Sequence, residues 1–119
     1  MTGQGFRILI VDDDEKICRL LKRITDRAGY ETLTAHSGQQ MRDQISHADL
    51  ILLDLHLPDA DGMDLLQEIK ASAKSPGVII LSGSAELKDE HIYLDAGANG
   101  CLPKPFDPAD VRSKIHSIL

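Results

Sequence analysis

Four apolar runs in this chain each stop at a polar residue, and that repeated ending restricts the fold more than any other feature. Ile8-Leu9-Ile10-Val11 runs into Asp12-Asp13, and Leu50-Ile51-Leu52-Leu53 runs into Asp54. Val78-Ile79-Ile80-Leu81 runs into Ser82, and Gly100-Cys101-Leu102-Pro103 runs into Lys104. Strands that are apolar on both faces belong to a parallel sheet covered by helices on both sides. The carboxyl ends of such strands open onto one crevice, where ligands bind. Three carboxylates, one hydroxyl and one ammonium are therefore expected around a single point. That set suits a divalent cation and a phosphoryl group.

The segments between these runs carry helical spacing. Ile17, Leu20, Leu21, Ile24 and Ala28 line one face of a first helix, and Gly29 follows where glycine commonly ends one. Tyr30 to Ala35 reads as strand two, and Ser37 with Gln40 forms a capping box for helix two, whose buried side is Met41 and Ile45. Asp49 to Asp54 reads as strand three, followed by a loop from Pro58 to Gly62. Leu65, Leu66, Ile69 and Ala73 mark helix three, and Pro76-Gly77 precedes strand four. A fourth helix is placed at about residues 85–96, where Leu87, Ile92, Tyr93 and Leu94 share no face. Strand five spans Ala98 to Leu102; Asp107-Pro108 then starts a helix with the stripe Val111, Ile115 and Ile118. The count is five β-α units. Right-handed crossovers give a doubly wound, flavodoxin-like α/β fold with strand order 2-1-3-4-5. Strands one and three then meet at the switch point, with Asp12 and Asp13 beside Asp54.

Composition narrows the function classes. At 119 residues and 42% hydrophobic, the chain is expected to form one domain with a packed core, residues 1–5 forming a polar, flexible tail. A formal charge of −6 disfavours nucleic-acid binding, which needs a basic patch. No apolar run approaches the roughly 20 residues of a membrane helix, and Met1-Thr2-Gly3-Gln4-Gly5 lacks a signal peptide's apolar stretch. Cys18 and Cys101 have no metal-ligand spacing and fit a reducing compartment. A cytoplasmic location is the simplest expectation.

Each site residue has a plainer reading. Asp12 to Asp14 could cap a helix start, and for Asp14 that reading prevails. Asp54 could be an ordinary strand-ending aspartate, Ser82 an N-cap (a role open to Ser84), and Lys104 a surface lysine. A cap does not explain why Asp54 and Lys104 converge on Asp12 and Asp13. Adjacent carboxylates repel, so at least one should show a raised pKa unless a cation intervenes. Oxygen ligands in a solvated loop suit Mg²⁺. With that charge neutralised, Asp54 is the candidate nucleophile toward phosphorus.

Asp12-Asp13, Asp54 with Pro58 and Asp61-Gly62, Ser82-Gly83 and Lys104-Pro105-Phe106 together resemble a response-regulator receiver domain of two-component signalling, the CheY-like group. The resemblance covers nearly the whole chain. It implies that Asp54 is phosphorylated by a histidine kinase or histidine phosphotransfer protein. It further implies that Mg²⁺ is held by Asp13 directly, Asp12 mainly through water, Asp54, and the backbone carbonyl of His56. Ser82 becomes the switching hydroxyl, Lys104 contacts the phosphoryl group, and the Lys104-Pro105 bond is expected to be cis. Helix four, strand five and helix five are the expected output face, toward a downstream effector or a phosphorylation-dependent homodimer. Such a protein is a switch acting only on its own phosphorylation, not an enzyme with an external substrate.

Two positions depart from the family pattern. Cys101 stands where an aromatic switch residue is usual, and His56 lies two residues after Asp54. His36, His47, His91 and His116 are read as surface residues. The alternative is a Mg²⁺-dependent phosphohydrolase with an Asp nucleophile, of the haloacid-dehalogenase type. That family needs a second aspartate at position 56, where His56 stands, and usually carries a cap insertion, for which the chain has no room. A flavin-phosphate module is disfavoured by Asp12 and Asp13, and no Walker or dinucleotide fingerprint occurs.

Overall fold

In the computed structural model, which describes residues 5–83 and 89–119, the apolar runs form the centre of one parallel sheet. The elements in chain order are β1 (Arg7–Val11), α1 (Glu15–Arg27), β2 (Glu31–Ala35), α2 (Gly38–Gln44), a 3₁₀ turn (Ile45–His47) and β3 (Leu50–Asp54). There follow β4 (His56–Leu57), β5 (Ala60–Asp61), α3 (Gly62–Ala71), β6 (Gly77–Ser82), α4 (Glu90–Asp95), β7 (Gly100–Pro103) and α5 (Pro108–Ile118). The main sheet runs β2-β1-β3-β6-β7, every pairing parallel. Numbered in chain order, those five strands stand 2-1-3-4-5, as expected. β4 and β5 form a separate antiparallel hairpin, His56 opposite Asp61 and Leu57 opposite Ala60. The expected Pro58–Gly62 loop is thus partly folded.

Side chains alternate across the strands, so the sheet divides the core in two. Leu9, Val11, Ile51, Leu53, Val78 and Ile80 pack with Met41, Leu65, Leu66 and Ile69 on one face. Ile8, Ile10, Leu50, Leu52, Ile79 and Leu81 pack with Leu21, Ile24, Val111 and Ile115 on the other. β3 is buried over its whole length, which burial between two helix layers requires.

Helix starts follow the sequence signals. Asp14 caps α1 through Lys16 N–H, Ser37 caps α2 through Gln40 N–H, and Asp107 caps α5 through Ala109 N–H with Pro108 at the first turn. The capping box at Ser37 is incomplete: Gln40 Oε1 accepts from His36 N–H at 2.8 Å, one residue before the cap. Gly29 takes φ +93° past the end of α1, a conformation that suits glycine. The Lys104-Pro105 bond is cis.

Three positions differ from the expected stripes. Leu20 is 38% exposed, because the α1 face toward the sheet is completed by Cys18, Leu21, Ile24 and Thr25. Ala73 lies beyond the end of α3 and is exposed. Ile45 starts the 3₁₀ turn rather than continuing α2. Of the fourth helix, Glu90–Asp95 is described; the expected start near residue 85, with Leu87 and the capping role of Ser84, lies outside the described residues. Residues 1–4 of the expected tail lie outside them too.

Candidate phosphoryl and metal site

At the carboxyl edge of the sheet the polar residues following each run converge. β1 and β3 are neighbours in register, with Val11 opposite Leu53, so Asp12 and Asp13 emerge beside Asp54. One carboxylate oxygen from each of the three lies within 4.8 Å of the others. Asp12 is fully buried, Asp54 is 5% exposed and Asp13 faces solvent. β6 and β7 close the other side. Lys104 N–H donates to Ser82 C=O at 2.8 Å, extending the ladder one step and aiming the lysine inward. Its Nζ lies 3.2 Å from Asp12 Oδ2 and 3.6 Å from Asp54 Oδ1. All five residues that the sequence singles out therefore stand at one edge.

The electrostatics of this cluster are strained. Burial raises the Asp12 pKa above the ordinary carboxylate value, and the Asp54 charge adds to it. A hydrogen bond from Asp14 N–H to Asp12 Oδ1 (2.9 Å) and the Lys104 ammonium work in the opposite direction without cancelling the rise. For Lys104, burial by itself lowers the pKa, but Asp12 and Asp54 outweigh it and the net shift is upward. One ammonium faces three carboxylates. The donors are all oxygen, one carboxylate is open to water, and the residual charge is negative. Such a set fits a hard divalent cation that retains part of its water shell.

Ser82 is 3% exposed, and its Oγ donates a long bond of 3.5 Å to Leu102 C=O. A hydroxyl so weakly held can turn to another acceptor. His56 is exposed at the start of the hairpin, and its N–H points at Asp54 Oδ1 at 3.4 Å. Gly62 keeps this loop tight: its N–H donates to Leu55 C=O, and a Cβ there would fall 2.6 Å from Leu55 Cα.

Cys101, in the place of the family's aromatic residue, is 7% exposed and packs in the core, with its thiol pKa pushed up to about 11 by burial. A cleft of about 360 Å³ remains beside it between β7 and α5, lined by Asp110, Ser113 and Lys114 among others.

His36 corrects the sequence reading. It is half-buried, and its Nδ1 lies 3.2 Å from Asp12 C=O and 3.8 Å from Cys18 Sγ. The Cys18 thiol donates to the same carbonyl at 3.2 Å, while Asp12 N–H donates to Ala35 C=O. The Asp12 peptide is thus held from both sides. The signal was present, since His36 directly follows β2 at the edge where Asp12 follows β1. His47, His91 and His116 are exposed as expected.

Comparison with known proteins agrees with this geometry. Residues 8–116 match the response regulator receiver domain family. The transcriptional regulatory protein CpxR of Klebsiella pneumoniae is 36% identical over 114 residues, which are 95% of this chain and 49% of that protein. The alkaline phosphatase synthesis transcriptional regulatory protein PhoP of Bacillus subtilis is 32% identical over 115 residues, 95% of this chain and 48% of that protein. The chain spans about half the length of these curated relatives. Among solved structures, a CheY-like receiver domain protein from Methanospirillum hungatei superposes with TM-score 0.85 at 34% identity, covering 94% of this chain and 91% of that one. A response regulator from Chloroflexus aurantiacus gives TM-score 0.89 at 28% identity, covering 97% and 98%. Sequence, sheet order and the acidic cluster with its lysine agree, and the chain belongs to the response regulator receiver domain family of two-component signalling.

Proposed function

We propose that this chain is a phospho-accepting switch in which Asp54 takes a phosphoryl group from a phosphohistidine on a kinase or phosphotransfer protein. The observation that carries this reading is the convergence of Asp12, Asp13, Asp54 and the Lys104 ammonium on one solvent-open point. Attack by a carboxylate on a phosphoryl centre brings like charges together, so catalysis is largely neutralisation and alignment. Asp12, Asp13, Asp54 and the main-chain carbonyl of His56 would hold Mg²⁺. When bound, it would supply positive charge to the phosphoryl oxygens.

The chain's own residues do the rest. An Asp54 carboxylate oxygen forms a bond to phosphorus as the bond from phosphorus to the donor nitrogen breaks, and that nitrogen keeps the electron pair. Lys104, already 3.6 Å from Asp54, follows the charge onto the transferred group. Ser82 turns from Leu102 C=O to a phosphoryl oxygen and draws the end of β6 with it. α4, β7 and α5 then form the output face, where Ile92 and Leu94 are 46% and 41% exposed and Tyr93 packs partly against the core. In place of a turning ring, Cys101 leaves the cleft at β7 open for small repacking.

The downstream partner is an effector domain or protein, and a phosphorylation-dependent homodimer is the second form this face supports. Family membership favours a switch over the phosphohydrolase, and a cytoplasmic setting accompanies that role. Incubation with acetyl phosphate and Mg²⁺ is expected to add one phosphoryl mass, read by intact-mass spectrometry. Equal labelling of Asp54→Asn would overturn the assignment.

A further inference from the structure

The hairpin β4–β5 carries His56 at one end and Asp59 at its tip, and Asp59 reaches away from the site to α2. Its Oδ1 accepts Gly38 N–H at 2.8 Å and its Oδ2 accepts Gln39 N–H at 3.1 Å. Ser37 already serves α2 through Gln40 N–H, so between them the two side chains take three successive amides of that helix's first turn. The approach is close, and a larger residue at position 38 would need its neighbours to give by a few tenths of an ångström. A Cβ on Gly38 would lie 3.0 Å from Ala60 Cβ and 3.3 Å from Asp59 Oδ1.

The same stretch of chain touches the opposite half of the site. His36, two residues before Gly38, stands 3.2 Å from Asp12 C=O through Nδ1. Residues 36–39 therefore meet the Asp12 peptide on one side and the hairpin on the other. Across the hairpin, three residues from Asp59, His56 N–H faces Asp54 Oδ1. The Gly38 amide, ahead of the other contributions, holds the Asp59 carboxyl below its ordinary pKa, so the charged acceptor persists to lower pH than an ordinary aspartate's would.

We propose that Asp59 is a positioning residue for the cation site: by fixing the hairpin to the first turn of α2 it sets where the His56 main chain stands relative to Asp54 and Asp12. This rests on the reading that the carboxylate cluster and the His56 carbonyl hold Mg²⁺. Asp59 touches neither cation nor phosphoryl group. Its effect travels through three residues of main chain.

Mg²⁺ affinity of the full chain, measured by calorimetric titration with MgCl₂, tests it. Asp59→Ala is expected to weaken binding roughly tenfold, as loss of an outer-shell partner does. Asp59→Asn, which keeps one acceptor oxygen, is expected to weaken it less. Gly38→Ala should shift the hairpin against α2 by a few tenths of an ångström and weaken Mg²⁺ binding less than Asp59→Ala does, and the double variant Gly38→Ala/Asp59→Ala should be no worse than Asp59→Ala alone. Asp107→Ala is the control. It removes the α5 cap, lowers the melting temperature and should leave Mg²⁺ affinity unchanged, which separates positioning from general loosening. Wild-type affinity in both Asp59 variants overturns the positioning role while leaving the cation reading intact. A wild-type chain that itself takes up no Mg²⁺ overturns the cation reading, and this inference with it.

Discussion

Mg²⁺ should stabilise this fold by an amount that can be worked out beforehand, and Asp13 should be required for it. The metal-free cluster places the fully buried Asp12 beside Asp54, with burial and mutual repulsion both opposing its charge. A ligand bound only by the folded chain stabilises it by about 2.7 kcal/mol at a hundredfold excess over its dissociation constant. Unfolding entropy near 60 °C is about 2.1 cal/mol/K per residue, so 119 residues give about 0.25 kcal/mol/K. The expected rise in melting temperature is therefore about 11 °C. Asp13 is exposed, so Asp13→Ala removes a proposed ligand without opening a cavity. If that loss weakens affinity by roughly a hundredfold, the same Mg²⁺ concentration stands at its dissociation constant. The stabilisation then falls to about 0.4 kcal/mol, a shift of about 2 °C. Thermal melts followed by circular dichroism, with ionic strength matched by KCl, read both numbers. A rise of about 11 °C retained in Asp13→Ala would refute the placement of the ion.

Three further outcomes are expected. Gly62→Ala forces a Cβ to 2.6 Å from Leu55 Cα; the strain should cost about 1–3 kcal/mol in urea unfolding, and an unchanged midpoint would refute the need for glycine there. Lys104 has its pKa raised above 10.5 in the fold, so its contribution is complete below pH 10.5 and lost as pH rises through the folded value. The metal-free wild type should thus lose stability over that alkaline range more steeply than Lys104→Met, and parallel pH curves would count against the pair. Substituting His56 by Ala should alter the rate at which the phosphorylated chain loses its label, followed by intact mass, with Mg²⁺ affinity similar to wild type. A collapse of that affinity would make the imidazole itself a ligand.

The residues that converge at the candidate site were legible because each is local to a strand end. Asp12, Asp54, Ser82 and Lys104 follow apolar runs, and the parallel order then brings those ends together without any knowledge of side-chain contacts. What escaped was non-local. Asp59 reaches Gly38 across 21 residues, and nothing in Pro58–Gly62 distinguishes a carboxylate bonded to a distant helix from a solvated turn residue. The hairpin itself pairs only two residues per strand, too few for an alternating pattern to show. His36 looked like a surface residue because a single histidine after a short strand is commonly one; its contact with Asp12 depends on β2 lying next to β1. Leu20 fits helical spacing as well as Leu21 does, and spacing alone does not tell which of the two the packing of α1 turns outward. The poor apolar pattern after Ser82 agrees with α4, six described residues with none buried.

Chemical trapping at position 54 tests the central claim most directly. An acyl phosphate is reduced by borohydride to an alcohol, which converts a phosphorylated aspartate to homoserine, whereas a phosphohistidine is not converted. The chain is incubated with acetyl phosphate, with and without Mg²⁺, then reduced, digested and sequenced by mass spectrometry. Homoserine is expected at position 54 alone, and only when Mg²⁺ is present. Homoserine at position 12 or 13, a label retained on His56, or conversion at Asp54 that is indifferent to Mg²⁺ would contradict that claim.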